Sequence, residues 1–301
     1  MATTLYVPAR THGEFGFSIA KLTALSQSLY SCADNEIRIN FDNARMLNPF
    51  YIGGLSCLIH HYRQQGKTIV LNHEANPIIG SYMRTICFPY CYNENTEEIN
   101  LEPFTAKRYL PIIKMPTGLS SQRELVREAI LSAISALLQR QLNYSAGERM
   151  PLAYMLTEFS HNIRDHSGVD EGFIFGLFYP SDGYLDLCIC DHGKGIYRSY
   201  LDTNKFIPIS ETQAMDFAIN GKSTKDIPES RGFGISTSRD MLVNGLGGKL
   251  YIWSGNTVYI QTQEQRGIVS TPEGCIFQGT YIALRIPLQI PEGFNIYNFT
   301  G

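Results

Sequence analysis

The chain is poor in charged residues, and the two signs nearly balance. Asp, Glu, Lys and Arg make up 18% of its 301 residues, the formal net charge is −3 and the sequence pI is about 6.2. A nucleic-acid-binding domain would instead show clustered Lys and Arg and a basic pI. We therefore expect no nucleic-acid partner.

Long apolar runs are lacking as well. No stretch approaches the roughly 20 consecutive apolar residues that a membrane-spanning helix needs. The first residues, Met1 to Thr4, lack the positive and then apolar pattern of a signal peptide. We expect a cytoplasmic protein with no membrane partner. Hydrophobic residues still make up 44% of the sequence, enough for one large core or two ordinary ones.

The seven cysteines are scattered, and their odd number suits a reducing compartment better than a disulfide framework. Cys87 lies close to Cys91, and Cys188 to Cys190, but neither pair has the second pair of soft ligands that a zinc site requires. Cys188 and Cys190 alternate within an apolar strand pattern, so we interpret them as core thiols. We expect no metal at either pair.

A polar and acidic stretch over residues 93–98 divides the sequence, and we place one domain over residues 1–100 and another over 101–301. In the first domain the pattern predicts strands over residues 36–41 and 67–72, with helices over 51–65 and 77–86. This alternation implies an α/β domain with parallel strands joined by crossover helices.

The second domain begins with a predicted edge strand near residues 109–115, because Pro111 cannot donate a ladder hydrogen bond. Helices are then predicted over 121–141, 152–166, 211–220 and 235–243, and strands over 172–179, 184–190, 249–253, 257–263 and 276–287. Helices followed by a run of strands predict an α+β sandwich, a mixed sheet with helices on one face.

The helix over residues 152–166 carries the first candidate site. Glu158, Asn162 and His166 are spaced four apart and share one helix face. The amide oxygen of Asn162 is a suitable Mg²⁺ ligand, and Glu158 could hold a ligand water or accept a proton. By itself the pattern also suits a solvated polar helix face.

Asp191-His192-Gly193-Lys194-Gly195 follows an apolar strand directly. The carboxylate of Asp191 could accept a hydrogen bond from an adenine amino group. Gly193 and Gly195 would let the backbone approach a ligand closely and adopt positive φ. An ordinary turn between a strand and a helix is the alternative interpretation.

A third segment runs from Asn220 to Ile235 and contains Lys222, Lys225, Gly232 and Gly234. The glycines open a predicted helix, whose free backbone N–H groups suit a phosphate. The lysines add positive charge, and the polar residues between them could close as a lid. A surface loop with incidental lysines is the alternative.

Thr280 follows Gly279 in the last predicted strand, where its hydroxyl could bond the adenine edge directly or through water. Considered alone, it is better explained as a threonine favoured by strand propensity.

The order and spacing of the four segments resemble the GHKL superfamily of Bergerat-fold ATPases, over roughly residues 118–290. The resemblance makes Glu158 and Asn162 the N-box and Asn162 the Mg²⁺ ligand. It makes Asp191, Gly193 and Gly195 the first glycine box, in which Asp191 accepts a hydrogen bond from adenine. Gly232 and Gly234 then form the second glycine box, and Gly279 and Thr280 form the closing Gly-Thr pair. ATP and Mg²⁺ are the implied cofactors.

The first domain resembles a STAS domain of the anti-sigma-antagonist type in the stretch 41–49 and the helix, glycine and strand that follow. Such domains place a phosphorylatable Ser or Thr at the start of that helix. Here Phe50 occupies the position, with Tyr51 beside it. We expect the fold to be kept and the phosphoacceptor to be lost.

Together these resemblances imply a protein-interaction switch that is controlled by nucleotide and is similar to anti-sigma serine kinases. If the protein transfers a phosphoryl group to a Ser or Thr of a partner, Glu158 is the expected catalytic residue. The expected partner is a STAS-domain or sigma-factor-like regulator, and a homodimer stays open. The alternatives are an ATPase driving a conformational cycle, a histidine-kinase-derived module and a scaffold that no longer binds nucleotide. The ATPase is disfavoured because little chain follows Pro287, and the histidine kinase because the 121–141 helix contains no histidine.

Overall fold

The computed structural model describes residues 2–11, 13–96, 98–118, 120–142, 149–203, 206–208, 210–222 and 234–300, and of residues 149, 150, 164, 166 and 300 only the backbone. Across these residues, no helix has both the length and the apolar character that crossing a membrane requires.

The strands are β1 (Ala2–Tyr6), β2 (Glu36–Asn40), β3 (Thr68–Asn72), β4 (Tyr109–Pro116), β5 (Glu171–Tyr179), β6 (Tyr184–Asp191), β7 (Lys249–Gly255), β8 (Thr257–Gln261), β9 (Arg266–Ser270) and β10 (Phe277–Pro287). The helices are α1 (Phe17–Tyr30), α2 (Pro49–Gln64), α3 (Pro77–Thr85), α4 (Ser121–Leu142), α5 (Arg149–His166), α6 (Gly195–Thr203), α7 (Glu211–Ile219), α8 (Gly234–Asp240) and α9 (Tyr297–Thr300), with a 3-10 turn at Glu102–Phe104 and a π-helix at Met241–Gly245.

The N-terminal segment forms a three-stranded parallel sheet in the order β1-β2-β3. The predicted parallel strands and crossover helices are therefore confirmed. The fixed φ of Pro49 suits the first turn of α2, and the Asn48 side chain accepts a hydrogen bond from the Phe50 backbone N–H. Gly66 follows α2 with φ +83°, as expected for a glycine that ends a helix. Strand β1 and helix α1 were not predicted.

The larger sheet has seven strands in the order β4-β5-β6-β10-β7-β8-β9, and every neighbouring pair is antiparallel. The prediction of a mixed sheet is therefore wrong. Short turns join β5 to β6, β7 to β8 and β8 to β9, and such connections allow only antiparallel neighbours. Strand β10 then returns between β6 and β7. Strand β4 lies at the edge as predicted, with a register shift between Leu110 and Ile113 that includes Pro111.

Helices cover both faces of this sheet. Those of the second predicted domain pack on one face, as predicted, and helices of the N-terminal segment pack on the other. Helices α4 and α5 and the π-helix share one hydrophobic cluster with alternate sheet residues such as Leu187 and Ile189. The opposite residues, such as Cys188, share a second cluster with α1 and α2. This second cluster joins residues from both of the predicted domains.

Helix α2 lies between α1 and the seven-stranded sheet at very short range. A Cβ atom added to Gly53 would lie 2.8 Å from Cys188 Sγ and 3.0 Å from Cys188 Cβ. The Cys190 thiol donates to the Gly53 carbonyl over 3.6 Å. On the other side, a Cβ on Gly54 would lie 2.3 Å from a methyl group of Leu22. The two glycines therefore permit the close approach of helix and sheet.

A buried polar contact fixes the start of α2 on the same face. Asp186 is fully buried, and its carboxylate accepts two hydrogen bonds from the Arg285 guanidinium at 2.7 and 2.8 Å. The Asn48 side-chain nitrogen donates to the same carboxylate at 3.3 Å, while the Asn48 oxygen caps α2. A buried carboxylate needs such partners, so this contact specifies where α2 begins on the sheet.

Gly53→Ala should destabilise the protein, because the new methyl group meets strand β6 at less than van der Waals distance. Overpacking costs roughly 1–3 kcal/mol, and the gain in helix propensity offsets up to about 1 kcal/mol of it. We expect a net loss of roughly 1–2 kcal/mol in urea unfolding. Gly267→Ala, where an added Cβ meets nothing within 4 Å, is the control. Equal stabilities of the two variants would contradict the tight packing of α2.

Candidate functional site

Four residues form a row across the centre of the seven-stranded sheet. The register pairs Gly172 with Asp191, Asp191 with Thr280, and Thr280 with Ser254. Directly opposed residues in antiparallel strands point to the same face. The side chains of Asp191, Thr280 and Ser254 therefore share one face near the ends of their strands.

This row faces helix α5. A Cβ on Gly172 would lie 2.8 Å from Cγ2 of Ile163, which belongs to α5. Leu187 and Ile189, which alternate with Asp191 along β6, pack in the same cluster as Ile163. Asn162, the residue before Ile163, therefore lies on the same side of the sheet as Asp191. The sequence-based hypothesis required these two residues to share a side.

Asp191 is a buried carboxylate with an unusual affinity for protons. It is 1% exposed, and its Oδ1 accepts a hydrogen bond from the Gly193 backbone N–H at 2.8 Å. The backbone N–H of Thr280 also donates to it. Burial raises the pKa of Asp191 to about 7, and the two hydrogen bonds counteract only part of that rise. The group can therefore change its charge near neutral pH.

Glycines are required around this carboxylate because three backbone segments meet there. A Cβ on Gly193 would lie 2.0 Å from the Ser167 carbonyl oxygen, and one on Gly279 would lie 2.1 Å from the Asp191 carbonyl oxygen. Gly279 and Gly195 also have φ of +98° and +74°. Gly195 has the expected positive φ. The close approach seen at Gly193 is to the Ser167 backbone, so the expected approach to a ligand stays a prediction.

Ser254 holds these segments together, and sequence reasoning missed it. Its hydroxyl donates to the Gly279 carbonyl at 2.8 Å and accepts from the Ile196 backbone N–H at 2.9 Å. Gln278 adds a bond from its side-chain nitrogen to the Gly193 carbonyl at 3.0 Å. An isolated serine in a strand carries no sequence signal for such a role, since its partners lie on other strands and helices.

Glu158 and Asn162 lie beside the first residue of α8. A Cβ on Gly234 would be 2.5 Å from Glu158 Oε2 and 3.8 Å from the Asn162 side-chain nitrogen. The structure thus brings the start of α8 to the polar face of α5. Within the described residues, the Asn162 side-chain nitrogen is buried and has no hydrogen-bond partner. An unpaired buried amide costs about 1–3 kcal/mol, which favours a ligand at this point.

Lys222, one of the predicted phosphate ligands, lies over two aromatic rings. The Lys222 ammonium lies 3.8 Å from the centre of the Phe217 ring and 5.8 Å from that of Phe206. A cation over an aromatic face is a favourable contact in itself. The predicted phosphate ligands Lys225 and Gly232 lie outside the described residues, as does the side chain of His166.

His192 marks the opposite face of the sheet, behind the site. Its ring centre lies 6.1 Å from that of Phe173 and 6.2 Å from that of His61 on α2. Its Nε2 is buried and, in the part of the chain that the structure describes, has no hydrogen-bond partner. Burial lowers the pKa of His192, so the ring is neutral near pH 7. The residue after Asp191 therefore contacts the N-terminal segment.

Comparisons of the chain with models of protein families, with curated proteins and with solved structures find no match. The interpretation of the site therefore depends on its own residues and geometry.

The raised pKa of Asp191 predicts a pH-dependent stability. The native carboxyl, with a pKa of about 7, holds its proton where the unfolded one, at 3.8, has lost it. The native state therefore binds more protons between these values, and its stability falls as pH rises towards 7. From pH 5 to pH 8 the loss should be roughly 2–3 kcal/mol at 1.36 kcal/mol per pKa unit.

Asp191→Asn should remove this part of the pH dependence, as measured by urea unfolding at several pH values. Asp182→Asn, which changes an exposed carboxylate in the turn between β5 and β6, is the control and should keep the slope of the unmodified chain. The same slope in all three proteins would show that Asp191 does not titrate in this range.

Proposed function

We propose that the chain is a Mg-ATP-binding regulatory protein with a Bergerat-type nucleotide site, resembling anti-sigma serine kinases. The observation that carries the proposal is that Asp191 and Asn162 share one face of the sheet, with Gly234 beside Asn162. Buried polar groups usually have partners, and one atom of this set, the Asn162 side-chain nitrogen, has none within the described residues.

The residues present suit the chemistry of a magnesium nucleotide. Each Asp191 oxygen can accept more than one hydrogen bond, so the carboxylate can hold an adenine amino group while keeping its backbone donors. The Thr280 hydroxyl points to the same face and suits the adenine edge. The amide oxygen of Asn162 is a hard ligand for Mg²⁺, and its nitrogen can donate to a phosphate oxygen. Bound Mg²⁺ would neutralise charge on the phosphates.

The glycines suit close approach of a flat or anionic ligand. Gly193 and Gly279 pack against the backbone of Ser167 and Asp191 without room for a side chain, so a ligand would meet only backbone there once these segments shift. Gly195 begins α6 and Gly234 begins α8, and we assign both to the phosphate side of the site, with Gly232, Lys222 and Lys225 as further contacts. Because Asp191 is 1% exposed, a ligand reaches it only if the segments above it shift.

The position of α2 supports a regulatory role. Strand β6 presents Asp191 to one face and Cys188 and Cys190 to the other, where Gly53 of α2 packs directly against them. If nucleotide binding moved β6 or the turn at His192, α2 would be displaced as well. Coupling of this kind needs an element with two arrangements that both sites bias. We propose that α2 and its segment are that element.

The N-terminal segment would act in cis without accepting a phosphoryl group. Phe50, at the position where a STAS domain would carry its phosphoacceptor, is fully buried, and so is Tyr51. The Phe50 carbonyl accepts a hydrogen bond from the Tyr281 hydroxyl of β10 at 2.9 Å. We therefore place the regulated surface elsewhere on the chain and propose a separate STAS-domain or sigma-factor-like protein as the partner.

Isothermal titration with ATP and ADP, with and without Mg²⁺, tests the ligand. Asp191→Asn reverses the polarity of one adenine bond and should weaken ATP binding about 10-fold to 100-fold, the equivalent of roughly 1.5–3 kcal/mol. Asn162→Ala should reduce affinity in Mg²⁺ more than affinity in EDTA, which serves as the internal control. An unchanged dissociation constant in both variants would show that the pocket is assigned wrongly.

Phosphoryl transfer is tested separately with γ-labelled ATP and candidate STAS-domain partners. If Glu158 orients or deprotonates the acceptor, Glu158→Gln should lower transfer by about 10²-fold to 10⁴-fold while ATP binding is kept. Binding without transfer would leave the nucleotide switch alone. Rapid steady-state hydrolysis by the isolated chain would favour the ATPase alternative, and an acid-labile phosphohistidine would favour the histidine-kinase alternative.

A further inference from the structure

Helix α2 and a turn about 30 residues later in the sequence bring three possible metal ligands together. His60 of α2, Cys91 and Glu94 each offer one ligand atom, and these atoms lie within 4.8 Å of one another. Cys91 is 5% exposed, whereas the Glu94 side chain is 34% exposed. The cluster therefore has a buried sulfur at its base and an opening to solvent at the carboxylate. It lies outside the proposed nucleotide site.

Hydrogen bonds to strand β4 fix the turn that carries two of these residues. The Tyr92 backbone N–H donates to the Ile112 carbonyl at 2.8 Å. The Asn93 side chain bonds both backbone groups of Lys114, at 2.7 and 2.9 Å. The Glu94 N–H closes the turn onto the Cys91 carbonyl at 3.1 Å. Cys91 and Glu94 are therefore held in place before any ligand binds.

His60 is held from two sides. Its ring lies 4.7 Å from that of Phe173, centre to centre, and its Nε2 is 3.1 Å from the Pro89 carbonyl oxygen. With Nε2–H donating to Pro89, Nδ1 carries the free lone pair. Metal-binding histidines commonly donate their second ring N–H to a backbone carbonyl in this way, which fixes the tautomer and the ring.

The charges around the cluster allow a divalent cation. The Lys114 ammonium lies 3.3 Å from Glu171 Oε1 and 3.9 Å from Glu94 Oε2, so Glu171 is its closer partner. Within the described residues, Glu94 Oε2 is buried and accepts no hydrogen bond. This buried oxygen could therefore bind a cation in place of its 3.9 Å contact with Lys114.

We propose that His60, Cys91 and Glu94 form a binding site for Zn²⁺, with water as the fourth ligand. One nitrogen, one sulfur and one oxygen ligand are a set that zinc accepts. Zinc bonds of about 2.0–2.3 Å place tetrahedral ligand atoms roughly 3.3–3.8 Å apart, so the cluster needs to contract by at most about 1.5 Å. On binding, the Cys91 sulfur forms a bond to the metal and its proton passes to solvent.

Such a site would connect α2 to the turn bonded to strand β4. His60 belongs to the helix that packs on the sheet, whereas Cys91 and Glu94 belong to the turn that β4 holds. Zinc would therefore strengthen the attachment of the N-terminal segment to the larger sheet. The sequence-based expectation of no metal near Cys91 considered soft ligands close in sequence and could not include His60.

Titration of the full, tag-free chain with Co²⁺ and Zn²⁺ tests the site. Co²⁺ should give the intense visible bands of tetrahedral coordination and a near-ultraviolet thiolate-to-cobalt band, and Zn²⁺ should displace it stoichiometrically. Cys91→Ser should abolish the thiolate band. His60→Gln and Glu94→Gln should each weaken Zn²⁺ binding at least about 10-fold. Saturating Zn²⁺ should also raise the melting temperature of the unmodified chain.

Neighbouring residues supply matched controls. Cys87→Ser, His61→Gln and Glu98→Gln change the same residue types outside the cluster and should keep the affinity of the unmodified chain. The proposal is overturned if Co²⁺ gives no thiolate band, or if Cys91→Ser binds Zn²⁺ as tightly as Cys87→Ser. Folding of each variant is checked by circular dichroism without metal, so that a lost site is distinguished from a lost fold.

Discussion

The burial of strand β6 on both faces is the constraint on which the rest of the structure depends. From Leu185 to Asp191 every residue of the strand is buried. An antiparallel sheet can leave one face to water, but here α5 covers one face and α2 covers the other. Each helix therefore has to match its own side of one strand. The close fit at Gly53, without space for a side chain, is the direct result.

Burying the two carboxylates of β6 costs free energy, so the hydrogen-bond partners of each one matter. Asp186 receives Arg285 and Asn48, so its charge is compensated and the start of α2 is specified. Among the residues that the structure describes, Asp191 receives the backbone N–H groups of Gly193 and Thr280, and burial raises its pKa to about 7. A carboxylate that is buried without a countercharge from the described residues is poorly explained by stability alone. The proposed nucleotide site accounts for it, since a ligand would supply a further donor.

Both proposals use α2, although at different places. Its first two turns lie behind the strand that carries Asp191, and its fourth turn contributes His60 to the cluster with Cys91 and Glu94. A helix buried on two sides transmits a displacement along its length, because a packed interior is not compressible. A metal at His60 would therefore set how freely α2 responds to events at β6. The two sites are physically separate but share this one mechanical element.

The sequence alone determined most of the local structure. Periodicity predicted β2, β3, β5, β6 and β10 to within one or two residues, and Pro111 predicted that β4 is an edge strand. These features depend on residues close in the chain. The order of the strands does not depend on nearby residues, because β10 is inserted between β6 and β7, which lie far from it in the chain. The prediction of a mixed sheet was wrong because it did not include this insertion.

The same distinction between local and long-range features applies to the candidate site. The sequence singled out Asp191, Gly193, Gly195 and Asn162 as candidates, since spacing along one strand or one helix is visible in it. Only the tertiary structure decided that Asp191 and Asn162 share a face, that Ser254 bonds Gly279, and that His60 meets Cys91. Those juxtapositions arise from the register between strands and from the packing of α2 on the sheet. Register and packing are set by contacts among residues far apart in the chain, and spacing within one segment does not encode them.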